Sequence, residues 1–184
     1  MTDTNLSQGI LYIATGEEYI DQARQSAESV QQYMDVPIAL VTDRPLETEI
    51  FDCIIEVDDP DHSFIDKPKY IDKTPFDKTI YLDTDISILD DISELFEMLN
   101  QCDIAVSVDP YEAELRLNQQ KEFTRDENQS FTDVPISVPI YQTGVIVFSD
   151  NDRTKALFER WLEIHQSNNI ESDQTSFRPA LYRS

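Results

Sequence analysis

Residues 74–99 read TPFDKTIYLDTDISILDDISELFEML, and the middle of this stretch decides the fold class. Lys78-Thr-Ile-Tyr-Leu82 is a short apolar run of the kind that forms a buried strand, and Asp83-Thr-Asp85 follows it directly. In an extended segment residues i and i+2 point to the same face, so the alternation places both carboxylates on one spot at the strand's carboxyl end. Two close negative charges repel unless a proton or a cation lies between them. Oxygen ligands of this kind suit a hard cation such as Mg²⁺ or Mn²⁺. Such a cation could hold a diphosphate and neutralise the charge that develops on it as it leaves. The competing reading is a solvated acidic turn, since Asp is common in this chain and Asp59-Pro-Asp61 and Asp150-Asn-Asp152 repeat the pattern. Only the 83–85 pair follows a strongly apolar run, Ile80-Tyr-Leu82, and precedes another, Ile86-Ser-Ile-Leu89. An EF-hand loop starting at Asp83 fails, because Ile88 occupies the position that requires glycine.

On either side of this stretch, strand-like runs alternate with helical periodicity. Gly9 to Thr15, Pro37 to Thr42, Cys53 to Val57, Asp103 to Val108 and Gly144 to Phe148 read as further strands. Tyr19, Ile20, Ala23, Ala27, Val30 and Met34 recur at helical spacing after Gly16, with Glu17 and Glu18 suited to a helix N-terminus. Short helices are expected over Lys67–Lys73 and Ile92–Leu99. Leu157, Phe158, Trp161, Leu162 and His165 mark the apolar face of a helix that starts near Asp152. A last helix spans Asp173 to Tyr182, where Pro179 should bend or end it. Residues 110–138 lack a clear period and read as a long excursion. The pattern is that of an α/β fold with a mostly parallel, buried sheet in a single domain over residues 1–184. Such sheets bind ligands at the carboxyl ends of their strands, here the loops after Thr15, Thr42, Leu82 and Val108. With only three glycines, no glycine-rich phosphate cradle can be built.

Composition narrows the partners. The chain carries 37 acidic against 14 basic residues, a net charge of −23 in 184 residues. This excludes non-specific nucleic-acid binding and argues against anionic membrane surfaces. The acid is spread along the whole chain, and strong self-repulsion of this kind is screened by salt, which suggests a halophilic source. No apolar run approaches the ~18 residues of a membrane span, and the polar N-terminus is not a signal peptide. Cys53 and Cys102 sit among apolar residues and read as buried free thiols in a reducing cytoplasm.

The block 74–99 resembles the central block of nucleotide-diphospho-sugar transferases of the glycosyltransferase-A type. It is most similar to family 8 glycosyltransferases, the family of glycogenin and bacterial galactosyltransferases, whose pattern runs approximately K…TPYDRVLYLDADxxVLxDLxELF. Tyr141-Gln-Thr-Gly-Val-Ile-Val-Phe148 resembles that family's FNTGVIxF, and Ser172-Asp-Gln-Thr-Ser-Phe177 resembles its DQ segment. The three blocks stand in the family's order and, with the first strand, span most of the chain. The resemblance implies a Rossmann-like mixed sheet, mostly parallel and flanked by helices.

It further implies that Asp83 and Asp85 bind Mn²⁺ or Mg²⁺ with the sugar-nucleotide, Asp85 being the firmer ligand, and that Thr84 lines the same site. Lys67 stands at the family's lysine position and would offset phosphate charge, with Lys69 a competing candidate. Ala14, Thr15 and Gly16 match the loop whose backbone holds the nucleobase. Tyr19 would stack on that base or serve the core, and Asp43 would contact the nucleoside or cap a turn. Thr143 and Gly144 lie in the block facing the donor sugar, next to Gln142, where the family often has Asn. Asp173 and Gln174 match the catalytic pair beside the transferred sugar. Asp173 would hold sugar hydroxyls, and Gln174 is neutral and so is no general base.

The implied donor is a nucleotide-diphospho-sugar, a UDP-sugar favoured, and the implied activity is hexosyl transfer with retention to a glycan, lipid or protein acceptor. Relatives complete the metal site with a histidine near the C-terminus, yet no histidine follows His165, and His62 in the Asp-rich loop is the other one present. Three alternatives follow: a cation held by Asp, diphosphate and water only, a truncated chain, or a weak metal. Two other functions compete. A haloacid-dehalogenase-type phosphohydrolase would use Asp83 as nucleophile and Asp85 as acid/base, but its motif normally opens the domain. A non-catalytic nucleotide-sugar-binding module would keep the fold alone.

Overall fold

The computed structural model describes residues 6–109, 131, 133–135, 137–167, 170 and 172–184. The strands are β1 (Leu6–Ile13), β2 (Ile38–Thr42), β3 (Cys53–Glu56), β4 (Phe76–Leu82), β5 (Ile104–Val108) and β6 (Tyr141–Ser149). The helices are α1 (Glu17–Gln31), α2 (Asp66–Tyr70) running into a 3₁₀ turn (Ile71–Lys73), α3 (Leu95–Met98), α4 (Asp152–Ser167) and α5 (Asp173–Tyr182). Among the described residues the strands form one sheet in the order β3-β2-β1-β4-β6-β5. β3, β2, β1 and β4 are parallel neighbours, and β6 runs antiparallel to both β4 and β5. This is the mixed, mostly parallel sheet expected.

Strand alternation sorts the core into two layers. On one face Ile10, Tyr12, Leu40 and Ile80 pack under α1 through Ile20, Ala23, Ala27 and Val30, with Phe96 and Leu99 beside them. On the other face Leu11, Val41, Tyr81 and Phe148 meet Leu157, Phe158 and Trp161 of α4 and Phe177 and Ala180 of α5. Full burial of one such large apolar side chain is worth roughly 1.5–3 kcal/mol. Gly9 is fixed by close approach, since a Cβ there would lie 2.5 Å from the Phe76 ring. Gly16 opens α1 at φ 97°, a backbone conformation that favours glycine.

Several local expectations are corrected. Ile86–Leu89 is not a strand, because its polar backbone groups turn to α1. The helix expected over Ile92–Leu99 contracts to the single turn of α3. Pro179 does not end α5, which continues to Tyr182. Both Phe177 and Ala180 are wholly buried around it, and this packing offsets the bond that proline cannot donate. The two cysteines are free but not buried. Cys53 is half-buried because β3 is the sheet's edge, and Cys102 is exposed in the turn after α3. Most of the excursion expected at 110–138 lies outside the described residues. Among the described residues, no helix is long and apolar enough to cross a membrane.

Candidate active site at the carboxyl ends of the strands

The parallel strands β1, β2 and β4 deliver their following loops to one end of the sheet. Because β6 is antiparallel to β4, its first residues return to that same end. Leu82 lies opposite Val145, and the Asp83 amide donates to the Gly144 carbonyl at 2.8 Å. The N-terminus of α5 brings Asp173 there too.

Lys67 joins these parts. Its ammonium lies 2.7 Å from Asp83 Oδ1 and 2.6 Å from Asp173 Oδ2, and it donates to the Thr143 carbonyl at 3.2 Å. Its three protons therefore have three partners. The side chain is buried, with the ammonium 5.3 Å from the centroid of the Tyr81 ring. Burial alone would pull its pKa down, but Asp173 and Asp83 outweigh that and hold it above the ordinary lysine value. The competing Lys69 stands apart, bonded to Asp61 and the Asp59 carbonyl.

Asp83 Oδ1 also accepts the Tyr81 hydroxyl at 2.6 Å. That phenol is held well above its usual pKa, first by burial and then by the charge of Asp83. The alternation argument fails just after Asp83. Ile86 N–H bonds back to the Asp83 carbonyl at 3.2 Å, so residues 83–86 form a turn, and Asp85 is exposed while Asp83 points inward to Lys67. Thr84 donates its hydroxyl to Gln22 Oε1 at 3.0 Å. Asp85 has no hydrogen-bond or ion-pair partner among the described residues.

Asp173 is tied on every side. Its Oδ2 also accepts the Thr143 hydroxyl at 2.7 Å, and its Oδ1 accepts the Gln174 amide at 3.0 Å. Beneath it, Trp161 Nε1 and the Ser176 hydroxyl both donate to its carbonyl, at 3.0 and 2.9 Å, and His165 Nδ1 lies 2.9 Å from Ser176 Oγ. Burial holds the His165 pKa below the ordinary value against the pull of Asp173, and the ring packs on the inner face of α4. Gln174 Nε2 donates to Gln142 Oε1 at 3.0 Å.

The loop after β1 forms the other half. Ala14 N–H bonds to the Val41 carbonyl and Gly16 N–H to Asp43 Oδ1, both at 2.9 Å, so Asp43 ties two loops together. Tyr19 is 49% exposed, which removes the core reading and leaves its face to solvent. Sequence reasoning missed Asp66. It is buried, takes the Thr15 hydroxyl at 2.7 Å, and takes the Asp61 and His62 amides at 2.8 and 2.9 Å. The one signal was its place at the start of a helix beside Lys67. His62, at φ 50°, sets its Nδ1 3.8 Å from where a Gly16 Cβ would be, and so stands beside the β1 loop.

The sequence model of the nucleotide-diphospho-sugar transferase family matches residues 78–183, more than half of the chain, and the chain belongs to that family. Solved structures agree on the fold, which is that of the glycosyltransferase-A enzymes. The glycosyltransferase GlyE of Streptococcus pneumoniae TIGR4 is 14% identical with a TM-score of 0.66, covering 98% of this chain and 44% of GlyE. The galactosyltransferase LgtC, solved with donor and acceptor sugar analogs, is 14% identical with a TM-score of 0.64, covering 95% of this chain and 70% of LgtC. The bifunctional glycosyltransferase WbbM is 11% identical with a TM-score of 0.68, covering 100% of this chain and 39% of WbbM. The chain thus spans less than half the length of GlyE and WbbM. No curated protein sequence matches it.

Proposed function

We propose that this chain binds a nucleotide-diphospho-sugar, a UDP-sugar by preference, and transfers its sugar to a glycan, lipid or protein acceptor in the manner of family 8 glycosyltransferases. The observation that carries the reading is the meeting of the three family blocks on one ammonium. Lys67 touches Asp83 of the first block, Thr143 of the second and Asp173 of the third.

Ala14, Thr15 and Gly16 would receive the nucleobase, with Tyr19 free to stack on it and Asp43 holding the loop. Asp173 retains one acceptor site on Oδ1 for a sugar hydroxyl, and Gln174 would stand on the reacting face. Gly144 leaves room for Asp83 Oδ2, since a Cβ there would meet that oxygen at 3.2 Å.

Among the described residues, no cluster of three His, Cys, Asp or Glu groups could hold a metal ion by itself. The residues present do fit a cation shared with the donor. Asp83 keeps Oδ2 and Asp85 keeps its whole carboxylate, and both are hard oxygen donors. Bound Mn²⁺ or Mg²⁺ would neutralise charge on the departing diphosphate. A phosphohydrolase is not favoured by the family match, and Asp83 Oδ1 is already committed to Lys67 and Tyr81.

The test is a binding screen of UDP-, GDP- and dTDP-sugars with and without Mn²⁺, followed by turnover of any donor that binds. Metal-dependent binding of one donor class with slow hydrolysis is expected. Binding without turnover under every acceptor tried would return the binding-module reading, and no binding at all would remove the proposal.

A further inference from the structure

The donor reading leaves unexplained what sets Asp85, an exposed carboxylate in a turn with no bond of its own. α1 presents Gln22, Ser26 and Ser29 at i, i+4 and i+7, a single polar stripe. Each of the three grips an alternate residue of the segment that leaves the turn. Gln22 Oε1 accepts the Thr84 hydroxyl at 3.0 Å. Ser26 donates to the Ile86 carbonyl, and its oxygen lies 2.8 Å from the Tyr12 hydroxyl. Ser26 has one proton, so Tyr12 must be the donor in that pair. Ser29 accepts the Ile88 amide at 2.9 Å and donates to the Ser26 carbonyl at 2.6 Å.

The stripe advances four and then three residues of helix, about 6 and 4.5 Å, as its partners advance two residues at a time from the turn. Ser26 and Ser29 supply the Ile86 carbonyl and the Ile88 amide with the partners a neighbouring strand would, and the run does not join the sheet. The same helix begins at Gly16, whose amide is bonded to Asp43. One rigid rod thus connects the loop after β1 with the Asp83–Asp85 turn.

We propose that Gln22 is a positioning residue for Asp85, and that the polar stripe of α1 holds the turn in the geometry in which its carboxylates share a divalent cation with a donor diphosphate. This rests on the donor-binding reading above. Without Gln22, Thr84 loses its anchor and the turn samples other orientations, so cation-dependent binding weakens while the fold, fixed by Ile20, Ala23, Ala27 and Val30, stays.

The experiment titrates Mn²⁺ alone by electron paramagnetic resonance, and UDP-galactose and UDP-glucose calorimetrically with and without Mn²⁺. Loss of one side-chain hydrogen bond predicts that Gln22→Met and Thr84→Val each weaken Mn²⁺ binding about three- to tenfold. The double variant should be no weaker than either single one, because both remove the same bond. Gln22→Glu keeps the acceptor oxygen and adds a charge that attracts the cation, so it should bind Mn²⁺ at least as tightly as the wild type. Gln31→Met, at the far end of α1, should change nothing. Melting curves separate unfolding from mispositioning, and Thr84→Val carries the test if Gln22→Met fails to fold. Wild-type Mn²⁺ affinity in Gln22→Met, or single effects that multiply in the double variant, would overturn the proposal. A wild type that binds Mn²⁺ with its affinity set by Gln22, yet binds no nucleotide-sugar, would sink the donor reading and keep the clasp. A wild type that binds neither would sink both.

Discussion

The two wings of the sheet are built differently. In β3-β2-β1-β4 each central strand is a near-continuous apolar run covered on both faces, and β2 is buried at every residue. That wing ends in loops whose backbone is pinned by carboxylates, Asp43 on Gly16 and Asp66 on Asp61 and His62. The β6-β5 wing is antiparallel, and β5 is only partly covered among the described residues. It supplies Thr143 and Gly144, which reach the site by a return of the chain, and α5 adds Asp173 and Gln174. The parallel wing is a scaffold made by burial, and the other shares its core through Ile146, Val147 and Phe148 while adding polar groups to the site. Beyond the β4–β6 ladder and the Asp83–Gly144 backbone bond, Lys67 is the side chain that joins them at the site among the described residues.

The largest effect is therefore expected from Lys67→Met, which breaks the junction while keeping the length of the side chain. It leaves the Asp173 carboxylate buried without its counter-charge, a loss of about 3–5 kcal/mol. Melting should fall by roughly 10 °C, and Asp173→Asn in the same chain should recover part of it. The wild-type pair has a signed pH dependence. The Lys67 pKa is raised in the fold, so its contribution is fully present below the unfolded lysine value near ~10.4 and is lost as pH rises through the folded value. A melting series from pH 7 to 11 should show no loss from this pair until above pH ~10. An unchanged melting temperature in Lys67→Met would mean that the wings dock without it.

Next comes the contrast within the turn. Asp85→Ala should abolish metal-dependent donor binding and leave melting nearly unchanged, since Asp85 is exposed and has no hydrogen-bond or ion-pair partner among the described residues. Asp83→Asn should reduce both, because it also weakens the Lys67 pair and alters the Tyr81 bond. Asp59→Ala and Asp150→Ala, in surface ion pairs, should stay within about 0.5 kcal/mol of the wild type. Paired melting and donor titrations decide it, and equal behaviour of Asp83 and Asp85 would erase the distinction.

The scaffold wing was legible because its signals are local. Ile38 to Thr42 and Ile80 to Leu82 are apolar runs bounded by breakers, and the stripe of α1 has the period of a helix. Of the pinning carboxylates, Asp43 was singled out at its turn, but Asp66 was not legible, because it meets Thr15 across 51 residues and no spacing rule reaches that far. The site residues of β6 and α5 were found only through the motif resemblance. Their contacts escaped it, since Lys67 is read from sequence as a phosphate partner while its protons are spent on Asp83, Asp173 and Thr143. The alternation rule failed at Asp85 because a turn intervenes. It failed again at Ile86–Leu89, where Ser26 and Ser29 of α1 supply what a strand neighbour would.

A smaller effect compares one glycine in each wing. Gly9→Ala drives a Cβ to 2.5 Å from the buried Phe76 ring, an overpacking that should cost about 1–3 kcal/mol. Gly144→Ala meets Asp83 Oδ2 at 3.2 Å and the Ile86 side-chain tip at 3.4 Å. The Ile86 tip can yield, and the unfolded chain loses about 0.4–1 kcal/mol worth of freedom in compensation, so stability should hardly move. Asp83 cannot yield easily, being held at Oδ1, so metal-dependent donor binding should weaken instead. Denaturant melts and donor titrations on both variants test the split. A Gly144→Ala protein that is unstable yet binds normally would reverse it.

The smallest effect expected is that of salt, and it distinguishes surface charge from the junction. With a net charge of −23, the folded chain gathers carboxylates that the unfolded chain spreads apart. Raising ionic strength shortens the Debye length from ~10 Å at 0.1 M to ~3 Å at 1 M and relieves that repulsion. A donor diphosphate is also negative, so its approach should gain in the same direction. Melting temperature and donor affinity are both expected to rise between 0.1 M and above 1 M KCl at constant Mn²⁺, as a halophilic protein would show. The Lys67 junction is buried and is screened far less. The deficit of Lys67→Met against the wild type should therefore stay constant across the KCl series while both curves climb. A neutral osmolyte at matched water activity controls for exclusion effects. A flat wild-type curve would remove the salt adaptation, whereas a deficit that closes with KCl would show that Lys67 acts as a surface charge and that the wings have no buried polar joint.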